Sequence, residues 1–206
     1  MTIEEYLQNP CGVSSLPYWK AQRLSTPDGM MILHDKEFDA SFLKSYDDEP
    51  YFRLMHTLKS INNAPLPEQF SFFTPSADEL AAHINSCYEI LRISCEDLQA
   101  AYNHPTYSPD LWLAINDNIA EQIVATGIAE LDPMTNEGIL EWIQVSRDYR
   151  RRGLGACVVT ELLRRMKGRV SFVTVSGKVD NPSNPESLYR KCGFSGNDIW
   201  HILTKK

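Results

Sequence analysis

Apolar and polar positions change rhythm twice along the chain. Over the first 67 residues, prolines at 10, 17, 27, 50, 65 and 67 separate short segments. Within them the run Met30 to Leu33 predicts a strand, and Tyr51 to Leu58 predicts a short helix. Tyr6, Tyr18, Trp19, Phe38, Phe42, Tyr46, Tyr51 and Phe52 argue that this segment packs rather than staying disordered. From residue 68 the signals sharpen. Phe70 to Phe73 predicts a strand, and Ser76 followed by Glu79 is the spacing of a capping box that opens a helix with Ala81, Ile84, Tyr88 and Leu91 on one face. A second helix is expected from Ser94 or Cys95, with Glu96 and Asp97 near its positive end and a stop before Pro105. Three strand-like runs follow, Leu111 to Ile115, Gln122 to Leu131 and Ile139 to Val145. Turn residues (Asp117-Asn118 and Asp132 to Asn136) separate them, which predicts an antiparallel meander.

Beyond the meander the apolar period becomes helical. Leu154, Val158, Leu162 and Met166 repeat at four, with Val159 and Leu163 widening the stripe, so residues 154–167 are expected as an amphipathic helix. Val170 to Val175 is a β-branched run, and the order strand, helix, strand places it parallel to Ile139 to Val145. A helix over Pro185 to Cys192 and a strand over Ile199 to Thr204 complete the reading. The expected class is α/β with a mixed sheet, an antiparallel meander running into a parallel β-α-β unit. Residues 1–67 are expected as an extension packed on a core domain of residues 68–206. No internal repeat is visible.

Composition adds little to this, but charge adds much. The net charge of -7 over 206 residues conceals an asymmetry between segments. Residues 78–146 carry Arg92 as their single basic residue against 12 acids, whereas residues 147–206 carry 13 basic residues against 5 acids. One part is thus suited to an anion and another to a cation. Five cysteines, odd in number and without a C-x-x-C pair, indicate reduced thiols rather than a disulfide framework or zinc site. The acidic start and the lack of an apolar run of about 18 residues predict neither a secretory signal nor a membrane span, hence a cytoplasmic protein. The five histidines show no metal-ligand spacing, so no metal is expected.

The densest chemical signal is Val145-Ser-Arg-Asp-Tyr-Arg-Arg-Arg-Gly-Leu-Gly-Ala156, between a strand and a helix. Gly153 and Gly155 permit a tight turn and close approach of a ligand, while the first N–H groups of the helix point outward, as a pyrophosphate cradle requires. Arg150, Arg151 and Arg152 add cationic charge at its mouth. A dinucleotide fingerprint would need glycine where Val158 stands, and no Gly-Lys-Ser/Thr is present for a P-loop.

Arg150-Arg-Arg-Gly-Leu-Gly155 resembles the Arg/Gln-x-x-Gly-x-Gly/Ala signature of the GNAT acetyltransferases, and Leu188-Tyr189-Arg-Lys-Cys-Gly193-Phe194 is similar to the Leu-Tyr-x-x-x-Gly-Phe that follows it there. The resemblance covers about residues 68–206; together with the Asn9-Pro-Cys-Gly start, the later segments look like functionally unassigned bacterial members. It implies that acetyl-CoA lies in a splay between the strand ending at Val145 and that of Val170 to Val175. Backbone groups of Ile143, Gln144 and Val145 would hold the pantetheine arm and thioester, and N–H groups of Arg151, Arg152, Gly153, Leu154, Gly155 and Ala156 the pyrophosphate. The family often has an asparagine where this chain has Pro182, so Asn181 and Asn184 are both candidates to touch the cofactor, Asn184 being the one assigned here.

Chemistry under that resemblance is direct attack of an amine on the thioester in a ternary complex. Tyr189 matches the family's donor to the leaving thiolate; its alternative is a core tyrosine. Glu141, expected on the same face as Ile139, Ile143 and Val145, is the candidate base, with Glu130 and a water chain as rivals and a structural ion pair as the alternative. Cys157 and Cys192 are expected in the core. The acidic middle segment favours a cationic acceptor, either a small amine or a protein amine. Residues 1–67 are candidates to wall the acceptor cleft, cap the sheet or form a homodimer face. Neither nucleic acid nor membrane is an expected partner. The other reading is a non-catalytic CoA-binding regulatory or interaction module.

Overall fold

The computed structural model describes all 206 residues. Eight strands, β1 (Met30–His34), β2 (Tyr46–His56), β3 (Phe70–Phe73), β4 (Trp112–Asp117), β5 (Gln122–Asp132), β6 (Glu137–Val145), β7 (Phe172–Lys178) and β8 (Ser195–Lys205), form one mixed sheet. Their order is β1-β8-β2-β7-β6-β5-β4-β3. β3 to β6 are the expected antiparallel meander. β6 and β7 make the sheet's one parallel ladder, joined through α5 (Leu154–Met166).

Neighbouring residues of a strand enter different cores, because side chains alternate between faces. Leu113 and Ala129 join the cluster under α5, with Leu154, Val158, Leu162 and Met166, whereas Trp112 and Ile128 pack with Leu80, Ala81 and Ile84 of α3 (Ala77–Cys87) and Leu98 of α4 (Cys95–Ala100). Both short helices begin with capping boxes, Ser76 with Glu79 and Ser94 with Asp97, which satisfy N–H groups the helix cannot. α3 ends at Cys87, so Tyr88 and Leu91 lie past its apolar face rather than on it, both partly exposed. α6 (Pro185–Lys191) leads into β8.

The helix expected over Tyr51 to Leu58 is instead the end of β2. Its register runs antiparallel to β7 on one side and β8 on the other, and this two-sided pairing, formed with residues more than a hundred positions away, overrides the local pattern. Pro50, lacking an N–H, stands just before the β7 ladder starts at Tyr51, where it interrupts little. The strands on both sides of residue 67 belong to one sheet, and Phe52, Leu54 and Leu58 are part of the main core.

On the α3 side, α1 (Ile3–Gln8) and α2 (Tyr18–Ala21) cross β2, β7 and β6. A buried ionic network fastens them. Arg53, 1% exposed, reaches Glu137 at 3.4 Å, the Tyr6 hydroxyl at 2.8 Å and the Pro10 carbonyl at 3.3 Å. Tyr6 donates to Glu137 at 2.7 Å and Thr174 donates to the other oxygen. Burial pushes the Glu137 carboxyl up from its usual range, and the guanidinium opposes that shift.

Candidate active site

β6 parts from β7 early. Their ladder covers only Glu137 to Leu140 against Phe172 to Val175, so from Glu141 onward the β7-facing edge of β6 has no strand partner. The β5–β6 register also shifts between the Gly127/Ile143 and Ala129/Leu140 pairs, setting Glu141 and Trp142 together opposite Ile128. Such a bulge reverses the alternation beyond it. Ile143 and Val145 therefore face the α5 core, while Glu141 remains on the opposite face; the expected sharing of one face with Ile143 and Val145 does not hold.

At the end of the splay, the chain turns through Arg147 to Tyr149 into α5. Arg151 at φ 66° and Gly153 at φ 83° are left-handed on either side of Arg152. The first bond into the helix runs from the Cys157 N–H to the Gly153 carbonyl at 3.1 Å, and no acceptor in the chain takes the N–H groups of Arg151 through Ala156. Successive free N–H groups at a helix start form an anion-binding nest. A Cβ added at Gly153 meets nothing within 4 Å, so the concavity is open. Arg152 stacks 4.6 Å over the Tyr149 ring, and Arg150 donates through Nε to the Val145 carbonyl at 3.2 Å, occupying one of the backbone groups expected to face the pantetheine arm.

Gln144 is buried, and neither its Oε1 nor its Nε2 has a partner. An unpaired buried carboxamide is costly by about 1–3 kcal/mol. Asn184 caps α6, its Oδ1 accepting from Ser187 N–H at 3.2 Å, and Asn181 is likewise occupied by Ser183. Both candidate asparagines use their Oδ1 in local turns. Cys157 and Cys192 lie in the core, as the periodicity indicates.

Tyr189 is 5% exposed between Phe52 and Phe194, with ring centroids at 6.1 and 5.7 Å, and its hydroxyl makes no hydrogen bond within the chain. Burial raises its pKa well above the usual 10, with Tyr88, Cys192 and Glu141 adding to the shift, so it stays a neutral donor.

Across the bulge, two carboxylates share one ammonium. Lys20 of α2 donates to Glu141 Oε1 and stands 3.8 Å from Glu130 Oε2. Trp19 Nε1 donates to Glu130 at 3.2 Å, and the Lys20 ammonium lies 5.2 Å from the Trp19 ring centre. Burial, with Glu141 and Asp132 nearby, raises the Glu130 pKa to about 7 even though Lys20 and Trp19 oppose it. Residues 19 and 20 were not expected here, because only β2's insertion into the sheet brings α2 over β5 and β6. The sequence pattern gives His83 no such signal either. Its pKa falls to about 4 through burial, and it bridges Thr126 at 2.8 Å and Ser146 at 2.9 Å, tying α3 to the exit of β6.

Residues 108–196, spanning β4 to the start of β8 and so including the splay, the nest and Tyr189, match the family model described as acetyltransferase (GNAT) domain. The chain thus resembles the GNAT acetyltransferases over a little less than half of its length. No curated protein matches the sequence. Solved structures share its fold at low identity. A GCN5-related N-acetyltransferase from Sphaerobacter thermophilus is 20% identical with a TM-score of 0.67, covering 91% of this chain and 63% of its own. The present chain thus spans less than two thirds of that protein's length. A functionally unknown conserved protein from Staphylococcus epidermidis is 11% identical at TM-score 0.59, covering 86% of this chain and 72% of its own. The ribosomal-protein-S18-alanine N-acetyltransferase of Escherichia coli is 19% identical at TM-score 0.50, covering 65% and 91% respectively. No helix of the chain is long and apolar enough to cross a membrane.

Proposed function

We propose that this chain is an acetyl-CoA-dependent N-acetyltransferase that acts on a primary, cationic amine by direct attack in a ternary complex. The observation that carries the reading is the adjacency of three features: an open anion nest at Arg151–Ala156, an unpaired strand edge from Glu141 to Val145, and a carboxylate pair already shown to hold an ammonium. The orphaned Gln144 carboxamide and the space at Gly153 fit a polyanionic, amide-containing cosubstrate. When bound, acetyl-CoA supplies an activated thioester.

The chain's own residues divide the remaining work. The nest and Arg151 neutralise phosphate charge, and the free edge of β6 orients the arm by backbone hydrogen bonds. Glu141 anchors the acceptor ammonium. Glu130, titrating near neutrality, takes its proton and so meets the requirement that a base be poised close to the working pH. A strand N–H oriented before the reaction begins meets the developing oxyanion. Tyr189 then donates a hydrogen bond to the leaving thiolate. Full proton transfer from a tyrosine at 10 to a thiolate at 8.5 is already uphill by roughly 2 kcal/mol, and the burial of Tyr189 widens that gap.

A thiol-release screen across amine classes tests the reading, with calorimetry of acetyl-CoA binding beside it. Saturable thiol release with a cationic amine is expected. Binding without release from any amine would instead make the chain a CoA-binding module.

A further inference from the structure

The acceptor site on β5 and β6 already holds a primary amine belonging to the chain. Lys20 is the cation between Glu130 and Glu141, which lie in the segment 78–146 whose own single basic residue is Arg92. Its placement is enforced rather than incidental. The loop before α2 is pinned by Arg53 to the Pro10 and Ser15 carbonyls at 3.3 and 3.4 Å, and by Trp200 Nε1 to the Cys11 carbonyl at 2.8 Å. Trp19 fixes the other side through Glu130. Glu141 lies in the bulge where β6 loses its β7 partner, so the Lys20 amine stands at the mouth of the splay. Its side chain is about one-fifth exposed.

We infer that Lys20 is an internal acetyl acceptor, a self-modification site served by the same carboxylates and the same splay as an external amine. The inference rests on the acetyltransferase reading above. The Lys20 ammonium gives one proton to Glu130. Its Nζ lone pair attacks the thioester carbonyl carbon, forming the C–N bond as the C–S bond breaks. The sulfur leaves with the bonding pair, hydrogen-bonded by Tyr189, and takes up the second proton released by the new amide nitrogen. The products are Nζ-acetyl-Lys20 and the free thiol of CoA, with the first proton left on Glu130.

Incubating the full chain with acetyl-CoA and no added amine, then mapping tryptic peptides, tests this. Trypsin does not cut after acetyl-lysine, so modification leaves Met1 to Arg23 uncut and heavier by one acetyl group, with fragmentation placing that group on Lys20 rather than on the Met1 amine. The expected result is labelling at Lys20 at least about 100-fold faster than at the exposed Lys59, through the high effective concentration of a held amine. The rate should be independent of protein concentration. Lys20→Arg should lose the label while still binding acetyl-CoA in calorimetry, and Tyr189→Phe should slow labelling. Cofactor binding with Lys20 unlabelled would overturn the inference alone, as would equal labelling of Lys20 and Lys59 or a rate that rises with protein concentration. Absence of both binding and thiol release would overturn the acetyltransferase reading itself.

Discussion

Replacing Glu130 with Gln probes the base and the fold with a single change. In the folded chain its pKa is raised from 4.5 to about 7, with burial as the largest cause. A group with a raised folded pKa favours the folded state in its protonated form. That contribution is complete below the unfolded value, is lost as pH rises from 4.5 to about 7, and is absent above. At about 1.4 kcal/mol per unit, the ionised carboxylate costs the fold about 3 kcal/mol at pH 8 relative to pH 4. Glutamine keeps the size and can still accept from Trp19, but it does not titrate. Urea unfolding of both proteins from pH 4 to 8 should therefore show the Gln variant gaining about 3 kcal/mol on the parent as pH rises, with the change concentrated between 4.5 and 7. Taking the difference between the two removes every other titrating group common to both. In the same variant kcat/KM should fall, and the acid limb near pH 7 should disappear from its profile. A stability difference that stays flat with pH would refute the burial argument, and an unchanged acid limb would remove Glu130 as the base.

Gly153→Asp should abolish acetyl-CoA binding in calorimetry, because it places a carboxylate in the anion nest and a side chain at φ 83°, with no clash inside the chain contributing; retained binding would show the cradle to be elsewhere. Tyr189→Phe should lower kcat by roughly 10- to 100-fold, as expected for loss of about 1.5–3 kcal/mol from a hydrogen bond to a charged sulfur, with acetyl-CoA affinity nearly unchanged; an unaltered kcat would exclude the hydroxyl. Arg53→Met should destabilise by about 3–5 kcal/mol in denaturant unfolding by leaving Glu137 buried without its countercharge. Adding Glu137→Leu to it should restore much of that loss. Leu162→Ala, under the sheet in a fully buried position, should cost about 2–5 kcal/mol.

Most local elements from residue 68 onward were readable from the sequence, since each is set by a short-range rule. The Ser76 and Ser94 caps, the four-residue stripe from Leu154 to Met166 and the strand runs of the meander are such cases. The glycine turn was equally legible, because positive φ and free N–H groups are local properties of Arg151 to Ala156. The carboxylate pair Glu130–Glu141 was not. A bulge at Glu141–Trp142 depends on how β5 and β6 pair, and it moved Ile143 and Val145 to the face opposite the one that period-two counting gave them. The cap that Asn184 Oδ1 provides to α6 is likewise a local role outside the ligand contact expected of it.

By itself, then, the sequence determined the order of most elements, the glycine turn with its arginines before α5 and the charge contrast between an acidic middle and a basic end. Tertiary structure alone decided that residues 46–56 become a strand between β7 and β8, since that strand exists only by pairing on both sides with residues far along the chain. It also decided that Lys20 lies between Glu130 and Glu141. Their separation of more than a hundred residues leaves no local signal, and the contact depends on the buried Arg53–Glu137–Tyr6 network that draws the N-terminal segment across the sheet.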